Sequence, residues 1–226
     1  MAWSPRSTAS ADRYALMWSG GKDSALALLR CRARGKAVTR LVNLYDPDSG
    51  RVRFHATRHE VIAAQARAIG IELRQLAVPW ERYEEMFGAM LDELRRDGFA
   101  GVVFGDIHLA DVRAWFEERV RARGLDHVEP IWGEDPAALV AEFVGSGSRA
   151  VITCVEKAKL GDRWLGRVID GDFVREIADE LIDPAGENGE YHSFAYAGPL
   201  FATPLAIRTG ARRDDERFAQ VDVELI

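Results

Sequence analysis

The sequence predicts an α/β fold, a doubly wound parallel sheet with helices on both faces and a smaller C-terminal α+β lobe. Two observations predict it. Through the first 155 residues, short apolar runs typical of buried strands alternate with segments of helical periodicity. After about residue 156 this alternation stops, and two strand-like runs close the chain. Such an order favours parallel strands covered by helices.

The predicted elements follow one another at the spacing of β-α-β units. Strands are predicted at 14–18, 38–45, 72–78, 101–105 and 150–155. Helices are predicted at 24–34, 57–69, 80–97, 111–123, 136–144 and 173–181. The closing strands are predicted at 201–209 and 218–226, around a polar turn at 210–216. We therefore predict a flexible tail at 1–12, an α/β domain at 13–155 and a smaller C-terminal lobe at 156–226.

Composition narrows the classes of function. The chain has 226 residues, of which 47% are hydrophobic and 29% charged, as in a globular protein with a core. The net charge of −6 gives no general support for binding nucleic acid or anionic membrane. No apolar run approaches the roughly 20 residues that span a bilayer. Cys31 and Cys154 form no C-x-x-C pair, which favours a reducing compartment. We expect a cytoplasmic protein that binds neither nucleic acid nor membrane. Composition leaves the oligomeric state open, and a homodimer is compatible with a compact cytosolic protein.

The most informative segment lies between the first strand and the first helix and reads Ser19-Gly20-Gly21-Lys22-Asp23-Ser24. The N–H groups of a tight turn and the positive end of a helix dipole attract anions. The two glycines leave room for a phosphate and permit positive φ, and the lysine adds a mobile cation. The segment is not a Walker A loop, because Leu16 and Asp23 occupy positions that need Gly and Ser or Thr. It predicts a polyphosphate site.

This segment resembles the SGGxDS loop of the PP-loop ATP pyrophosphatases, which have a HUP-like fold and cleave ATP between the α and β phosphates. The resemblance implies that residues 19–24 bind ATP. Their backbone and the Lys22 ammonium would hold the β and γ phosphates and stabilise the departing pyrophosphate. Asp23 would either hold Mg²⁺ or cap the helix.

Further polar residues follow other predicted strands. Carboxyl ends of parallel strands share one crevice, so His55, Asp106 and His108 should lie near the loop. Asp106 is a candidate ligand of metal or substrate, or a helix cap. His108 is a candidate base or phosphate ligand, or an exposed loop residue. His55 is expected near the adenine or the substrate.

A second constellation lies in the C-terminal lobe. Residues 186–194 contain two Gly-Glu pairs followed by Tyr-His-Ser-Phe. Glycine beside Glu187 and Glu190 suggests a backbone shaped to present these carboxylates. Carboxylates held in this way can bind Mg²⁺, attract ammonium or act as bases. Tyr191 either contacts substrate or packs the lobe against the sheet.

Together the motifs resemble the diphthine–ammonia ligase family, in the branch common among bacteria. The matching stretches run in order through nearly the whole chain, at 19–24, 54–55, 65–70, 105–107, 130–132, 164–167, 186–194 and 198–199. The resemblance implies an ATP-dependent amidation. A carboxylate attacks the α phosphate to give an acyl-adenylate and pyrophosphate, and ammonia then displaces AMP.

The resemblance also assigns roles, with ATP and Mg²⁺ as cofactors. The catalytic candidates are Lys22, Asp106, Glu190 and His192; the substrate candidates are Asp106, His108, Glu187, Asn188, Glu190 and Tyr191; the Mg²⁺ candidates are Asp23 and Asp106. His192 is expected to titrate in the range needed to take a proton from ammonium. Archaeal and eukaryotic members read Glu-Thr where His192-Ser193 stands here, which leaves the small or protein-borne carboxylate open.

Two other functions fit the loop. A PP-loop RNA-modifying enzyme would need cysteine pairs for sulfur transfer or a basic tRNA-binding domain, and neither is visible in the sequence. A non-catalytic adenine-nucleotide-binding protein would bind ATP without releasing AMP or pyrophosphate.

Overall fold

The computed structural model describes residues 12–226, so the predicted tail lies outside the described residues except for its last position. The N-terminal half forms a five-stranded parallel sheet of order β3-β2-β1-β4-β5. Its elements are β1 Arg13–Met17, α1 Lys22–Ala33, β2 Ala37–Tyr45, α2 His59–Ile69, β3 Glu72–Ala77, α3 Tyr83–Arg96, β4 Gly101–Val103, α4 Ala110–Arg121 and β5 Asp126–Val128. A single 3₁₀ turn, Trp80–Arg82, precedes α3.

The C-terminal half forms an antiparallel sheet in which β6 pairs with β7, β8 and β10, and β10 pairs with β9. Its elements are α5 Pro136–Gly145, β6 Arg149–Glu156, β7 Val168–Ile169, α6 Gly171–Ile177, β8 Tyr191–Ala197, β9 Ile207–Asp214 and β10 Phe218–Leu225. A 3₁₀ turn, Asp162–Trp164, lies between β6 and β7. No helix within residues 12–226 combines the length and the apolarity needed to cross a membrane.

The doubly wound α/β prediction is confirmed by how β1 divides the core. Tyr14 and Leu16 point into a cluster shared with α1, α2 and the C-terminal lobe. Ala15 points into a second cluster, which contains Phe87 of α3 and Val120 of α4. Alternate residues of a strand face opposite sides of a sheet, so helices cover both faces.

Three predictions about the C-terminal half are wrong. The strand predicted at 150–155 belongs to the second sheet, because β6 is central there and buried on both faces, which produces the same apolar run as a parallel strand. The turn predicted at 210–216 is mostly strand: β9 is a partly exposed strand whose polar residues face solvent. The acidic segment between the helix predicted at 173–181 and the strand predicted at 201–209 is expected from the sequence to be a loop, but it contains β8.

Strand β8 joins the two halves. The Ala195 N–H donates to the Gly20 carbonyl oxygen at 2.8 Å. The backbone N–H of Lys22 donates to Ser193 Oγ at 3.2 Å. The C-terminal lobe is therefore hydrogen-bonded directly to the loop that follows β1.

Candidate functional site

A cleft of about 890 Å³ opens at the carboxyl ends of β1, β2 and β4, between α3 and α4 on one side and the loops of both lobes on the other. It is lined by nine of the predicted site residues: Ser19, Lys22, Asp23, Ser24, His55, Asp106, Glu187, Tyr191 and His192. Residues far apart in the chain therefore meet at one site, as the parallel strand order predicts.

The two glycines of the loop serve the protein's own packing. Gly20 has the predicted positive φ, at +84°. A Cβ atom there would lie 2.5 Å from Ile62 Cδ1. A Cβ atom on Gly21 would lie 3.0 Å from His55 Cε1. The absence of a Cβ atom at both positions therefore lets Ile62 and His55 pack closely against the loop.

A buried glutamine fixes the same loop. Gln65, on α2, donates from Nε2 to the Gly20 carbonyl oxygen at 2.9 Å and to the Ala195 carbonyl oxygen at 2.6 Å. Its Oε1 accepts from Trp18 Nε1 at 2.7 Å. All three of these side-chain atoms are buried, so the amide links β1, the glycine loop and β8.

The start of α1 carries the groups on which the prediction of an anion site rests. Helix α1 begins at Lys22, and its first N–H groups have no partner within the helix. The Ser24 hydroxyl donates to the Gly21 carbonyl oxygen at 3.0 Å and lies 3.4 Å from Ser19 Oγ. Since Ser19 and Ser24 also line the cleft, their hydroxyls and the helix N-terminus face the same space.

Lys22 is held firmly, which differs from the mobile cation expected. Its side chain is buried, and Nζ donates to Asp23 Oδ2 at 2.8 Å and to the Ala185 carbonyl oxygen. The ammonium also lies 4.9 Å from the centre of the Tyr191 ring. A lysine ammonium has three protons, so these two bonds leave one for a ligand in the cleft.

Three carboxylates share the buried edge of the cleft. Burial, and next the charge of Asp23, raise the pKa of Asp106 to about 6. The same two causes raise the pKa of Glu187 to about 7, although its Oε1 accepts from the Ile107 N–H at 2.8 Å. Burial also raises the pKa of Asp23, against the opposing charge of Lys22. The site holds more negative charge than its one buried lysine balances.

The excess of negative charge in the cleft is relevant to the predicted binding of Mg²⁺, because carboxylates are ligands of this ion. Within residues 12–226, no group of three or more His, Cys, Asp or Glu is arranged to hold a metal ion. Mg²⁺ commonly takes only one or two carboxylates and completes its shell with phosphate oxygens and water. The charge of Asp23 raises the pKa of Asp106, which indicates that the two carboxylates lie close enough to form such a partial set. The residues present therefore fit a Mg²⁺ that arrives with a nucleotide.

The two cleft histidines lie against each other, with ring centres 4.7 Å apart. Burial lowers the pKa of His55 to about 4. Burial, the neighbouring His55 and Lys22 lower the pKa of His192 well below its usual value. The expectation that His192 titrates near neutral pH is therefore wrong, because both rings are neutral there. The sequence could not reveal this burial.

Three predicted substrate residues do not line the cleft. His108 Nε2 lies 2.6 Å from Asp183 Oδ2, and this hydrogen bond raises the pKa of the imidazole. Glu190 is buried, and its Oε1 lies 3.4 Å from both Asp183 N and Asn188 Nδ2. The Asn188 carbonyl oxygen accepts from Lys159 Nζ at 2.7 Å. These side chains brace the loop that carries Glu187.

One wall of the cleft is aromatic, which was not predicted from the sequence. Tyr83 and Trp115 have ring centres 5.8 Å apart, and Trp80 lies 5.6 Å from Tyr83. All three line the cleft. Tyr83 lies at helical spacing with Phe87 and Leu91, a pattern equally typical of core residues, so the sequence does not single it out. Phe54 also lines the cleft, and its signal was only the match at 54–55.

Sequence comparisons match this chain with one protein family over most of its length. The family model described as diphthamide synthase N-terminal domain matches residues 12–127, and the one described as diphthamide synthase C-terminal domain matches 135–224. A diphthine–ammonia ligase of Danio rerio is 26% identical over 230 residues, covering 90% of each chain. That of Homo sapiens is 25% identical over 223 residues, covering 86% of this chain and 82% of its own.

A solved U34-tRNA thiolase of Methanococcus maripaludis aligns with 60% of this chain and 57% of its own, at 14% identity and a TM-score of 0.39. A likeness at that score bears neither on the fold nor on the function of this chain.

The packing role of Gly20 gives a testable expectation. Gly20→Ala combines a left-handed φ, which costs about 1–2 kcal/mol for alanine, with the contact to Ile62. Overpacking of that kind adds about 1–3 kcal/mol. The free energy of unfolding, measured by urea denaturation, should fall by the sum of both.

Gly35→Ala is the matched control. Gly35 has a similar φ of +68°, and a Cβ there would meet nothing within 4 Å. It should lose only the backbone term. Equal losses in the two variants would show that the close contact at Gly20 contributes nothing.

Proposed function

The chain belongs to the diphthamide synthase family, and from this premise we propose that it is an ATP-dependent, AMP-forming ligase. It would adenylate a carboxylate and transfer the acyl group to ammonia. The observation that carries the proposal is the meeting, in one cleft, of the loop at 19–24 with Asp106 of the first lobe and Glu187 and His192 of the second. Relatives named diphthine–ammonia ligase align along most of their length.

The loop would bind the triphosphate. The N-terminus of α1 and the serine hydroxyls supply N–H and O–H donors, and Lys22 adds a fixed positive charge. These groups would stabilise the negative charge that develops on departing pyrophosphate. Asp23 and Asp106 would hold Mg²⁺, which when bound supplies further positive charge to the phosphates.

The second step needs a group that takes a proton from the attacking nitrogen. Glu187 fits this role best, because its pKa of about 7 leaves a large fraction ionised at neutral pH while it remains a usable base. His192 is a weaker base because its pKa is lowered. As a neutral ring in the cleft, it would orient the nitrogen by hydrogen bonding. Glu190 would act through the loop that it braces.

We also propose the finer features of this enzyme. The pair His192-Ser193 supports a place in the bacterial branch and an acceptor that differs from diphthine. Buried, free Cys31 and Cys154 fit a cytoplasmic protein and give no support to sulfur transfer to RNA. The negative net charge is consistent with a protein that binds neither nucleic acid nor membrane, and a homodimer remains part of the proposal.

A product assay tests the proposal. The protein is incubated with ATP, Mg²⁺, ammonium and a library of carboxylates, and the nucleotide products are separated. AMP and pyrophosphate are expected, and Lys22→Ala should slow their release roughly 10²- to 10³-fold through loss of charge stabilisation. Lys157→Ala, on the exposed surface away from the cleft, is the control and should keep full turnover. ADP with phosphate would contradict attack at the α phosphate.

A pH profile tests the base. At constant free ammonia, kcat should rise as pH passes through about 7 and level off above it, because Glu187 acts in its ionised form. Glu187→Gln should remove this rise and lower the plateau. Glu190→Gln should keep the rise, since Glu190 lies outside the cleft lining. The opposite pattern in the two variants would assign the base to Glu190.

A further inference from the structure

The segment between β2 and α2 contains an unusual piece of backbone. Phe54 has φ of 65° and Ala56 has φ of 60°. Among residues 12–226 they are the only non-glycine residues with positive φ. Such a conformation is a real outlier for a bulky residue. It persists only where the surroundings enforce it, and it concentrates at functional sites.

The C-terminal lobe enforces this conformation from both ends of the segment. Asp222 of β10 is buried, and its carboxylate lies 2.7 Å from Arg51 Nη1 and 3.3 Å from Arg58 Nη2. Arg213 also pairs with it, at 2.7 Å. Arg51 donates in addition to the Ala56 carbonyl oxygen at 2.6 Å. One carboxylate of the second lobe therefore anchors residues on each side of Phe54.

A third anchor fixes the middle of the segment. Thr153 Oγ1, on β6, donates to the His55 carbonyl oxygen at 2.8 Å. The His55 ring packs toward Gly21, while its Nδ1 lies 3.4 Å from the Ser193 carbonyl oxygen. Because His55 is held inward against the loop at 19–24, the neighbouring Phe54 side chain lies toward the opening of the cleft.

Phe54 is exposed although it lines the cleft. Its side chain is 60% accessible, and its ring centre lies 6.2 Å from that of His192. An aromatic side chain that is mostly exposed gains little from packing in the free protein. Exposed apolar surface at the mouth of a cleft is typical of a surface that a ligand covers.

We propose that Phe54 closes the mouth of the cleft over the reacting acyl group and excludes water, and that Asp222 is a positioning residue that holds it there. This inference rests on the proposed ligase function. Ammonia attacks the acyl carbon, the C–N bond forms, the acyl C–O bond breaks and AMP leaves with the electron pair. The surplus proton passes from nitrogen to the base.

Attack by water at the same carbon would hydrolyse the acyl-adenylate, so that ATP would be consumed without forming an amide. Its oxygen would form the new C–O bond, the acyl bond to AMP would break, and its proton would go to solvent. The products would be the original carboxylic acid and AMP. A phenyl ring over the acyl carbon would lower the access of bulk water to that carbon. It would leave the conformation of the loop at 19–24 unchanged.

The test is the ratio of AMP released to amide formed. The wild type should release about one AMP per amide, as tight coupling requires. Phe54→Ala should raise the ratio several-fold while the KM for ATP stays within about twofold, and Phe54→Leu should restore part of the coupling. Leu225→Ala, an exposed apolar residue outside the cleft lining, is the control and should keep the wild-type ratio.

The positioning role has its own variants. Asp222→Asn should also raise the ratio, whereas Glu224→Gln, two residues along the same strand and paired with exposed Arg208, should not. Should Asp222→Asn fail to fold, Arg58→Gln loosens one of the anchors, and its half-exposed side chain makes it the milder change.

The outcomes separate the two proposals. An unchanged ratio in Phe54→Ala would overturn the inference and leave the ligase intact. An unchanged ratio in both Asp222→Asn and Arg58→Gln, with Phe54→Ala uncoupled, would overturn the positioning role alone. A wild type that makes ADP, or AMP without any amide, would overturn the ligase function and this inference together.

Discussion

The hydrogen bonding of β8 to the glycine loop is the constraint on which the site depends. Gly20 can approach Ile62 and Gln65 only because it lacks a side chain, and its carbonyl oxygen then meets the Ala195 N–H. Gln65 completes the junction from α2. Because these polar groups are buried, each needs its partner, and the loop has one well-defined conformation. The start of α1 is thereby fixed relative to the C-terminal lobe.

Charged groups of both lobes meet beside this junction. The lobe supplies the carbonyl that binds Lys22, and the same loop supplies Glu187. Asp23 and Asp106 come from the first sheet. Burial of these carboxylates raises their pKa values and favours any cation that enters. In the proposed reaction, a phosphate-bound cation would balance this negative charge, and a carboxylate would take the proton that the attacking nitrogen loses.

Patterns of apolar, charged and glycine residues along the chain predict most of the strands and helices and several of the residues that line the cleft. The loop at 19–24, between a strand and a helix, can be predicted because its glycines, charges and flanking apolar runs are visible in the sequence. The same holds for Asp106 and His108, which follow an apolar run. The sheet to which β6 belongs was not readable, since a strand buried on both faces looks the same in either sheet. The neutral state of His192, the burial of Glu190 outside the cleft lining and the aromatic wall beside Tyr83 depend on contacts between residues that are distant in sequence.

The order of these contacts along the chain has a consequence for synthesis. The Gly20 carbonyl oxygen emerges from the ribosome early, but Ala195 and Ser193 follow only near the end. Contacts between residues so distant in sequence form late, because the intervening chain must first be ordered. The loop at 19–24 therefore acquires these hydrogen bonds only after β8 has been synthesised, although the loop itself lies near the start of the chain.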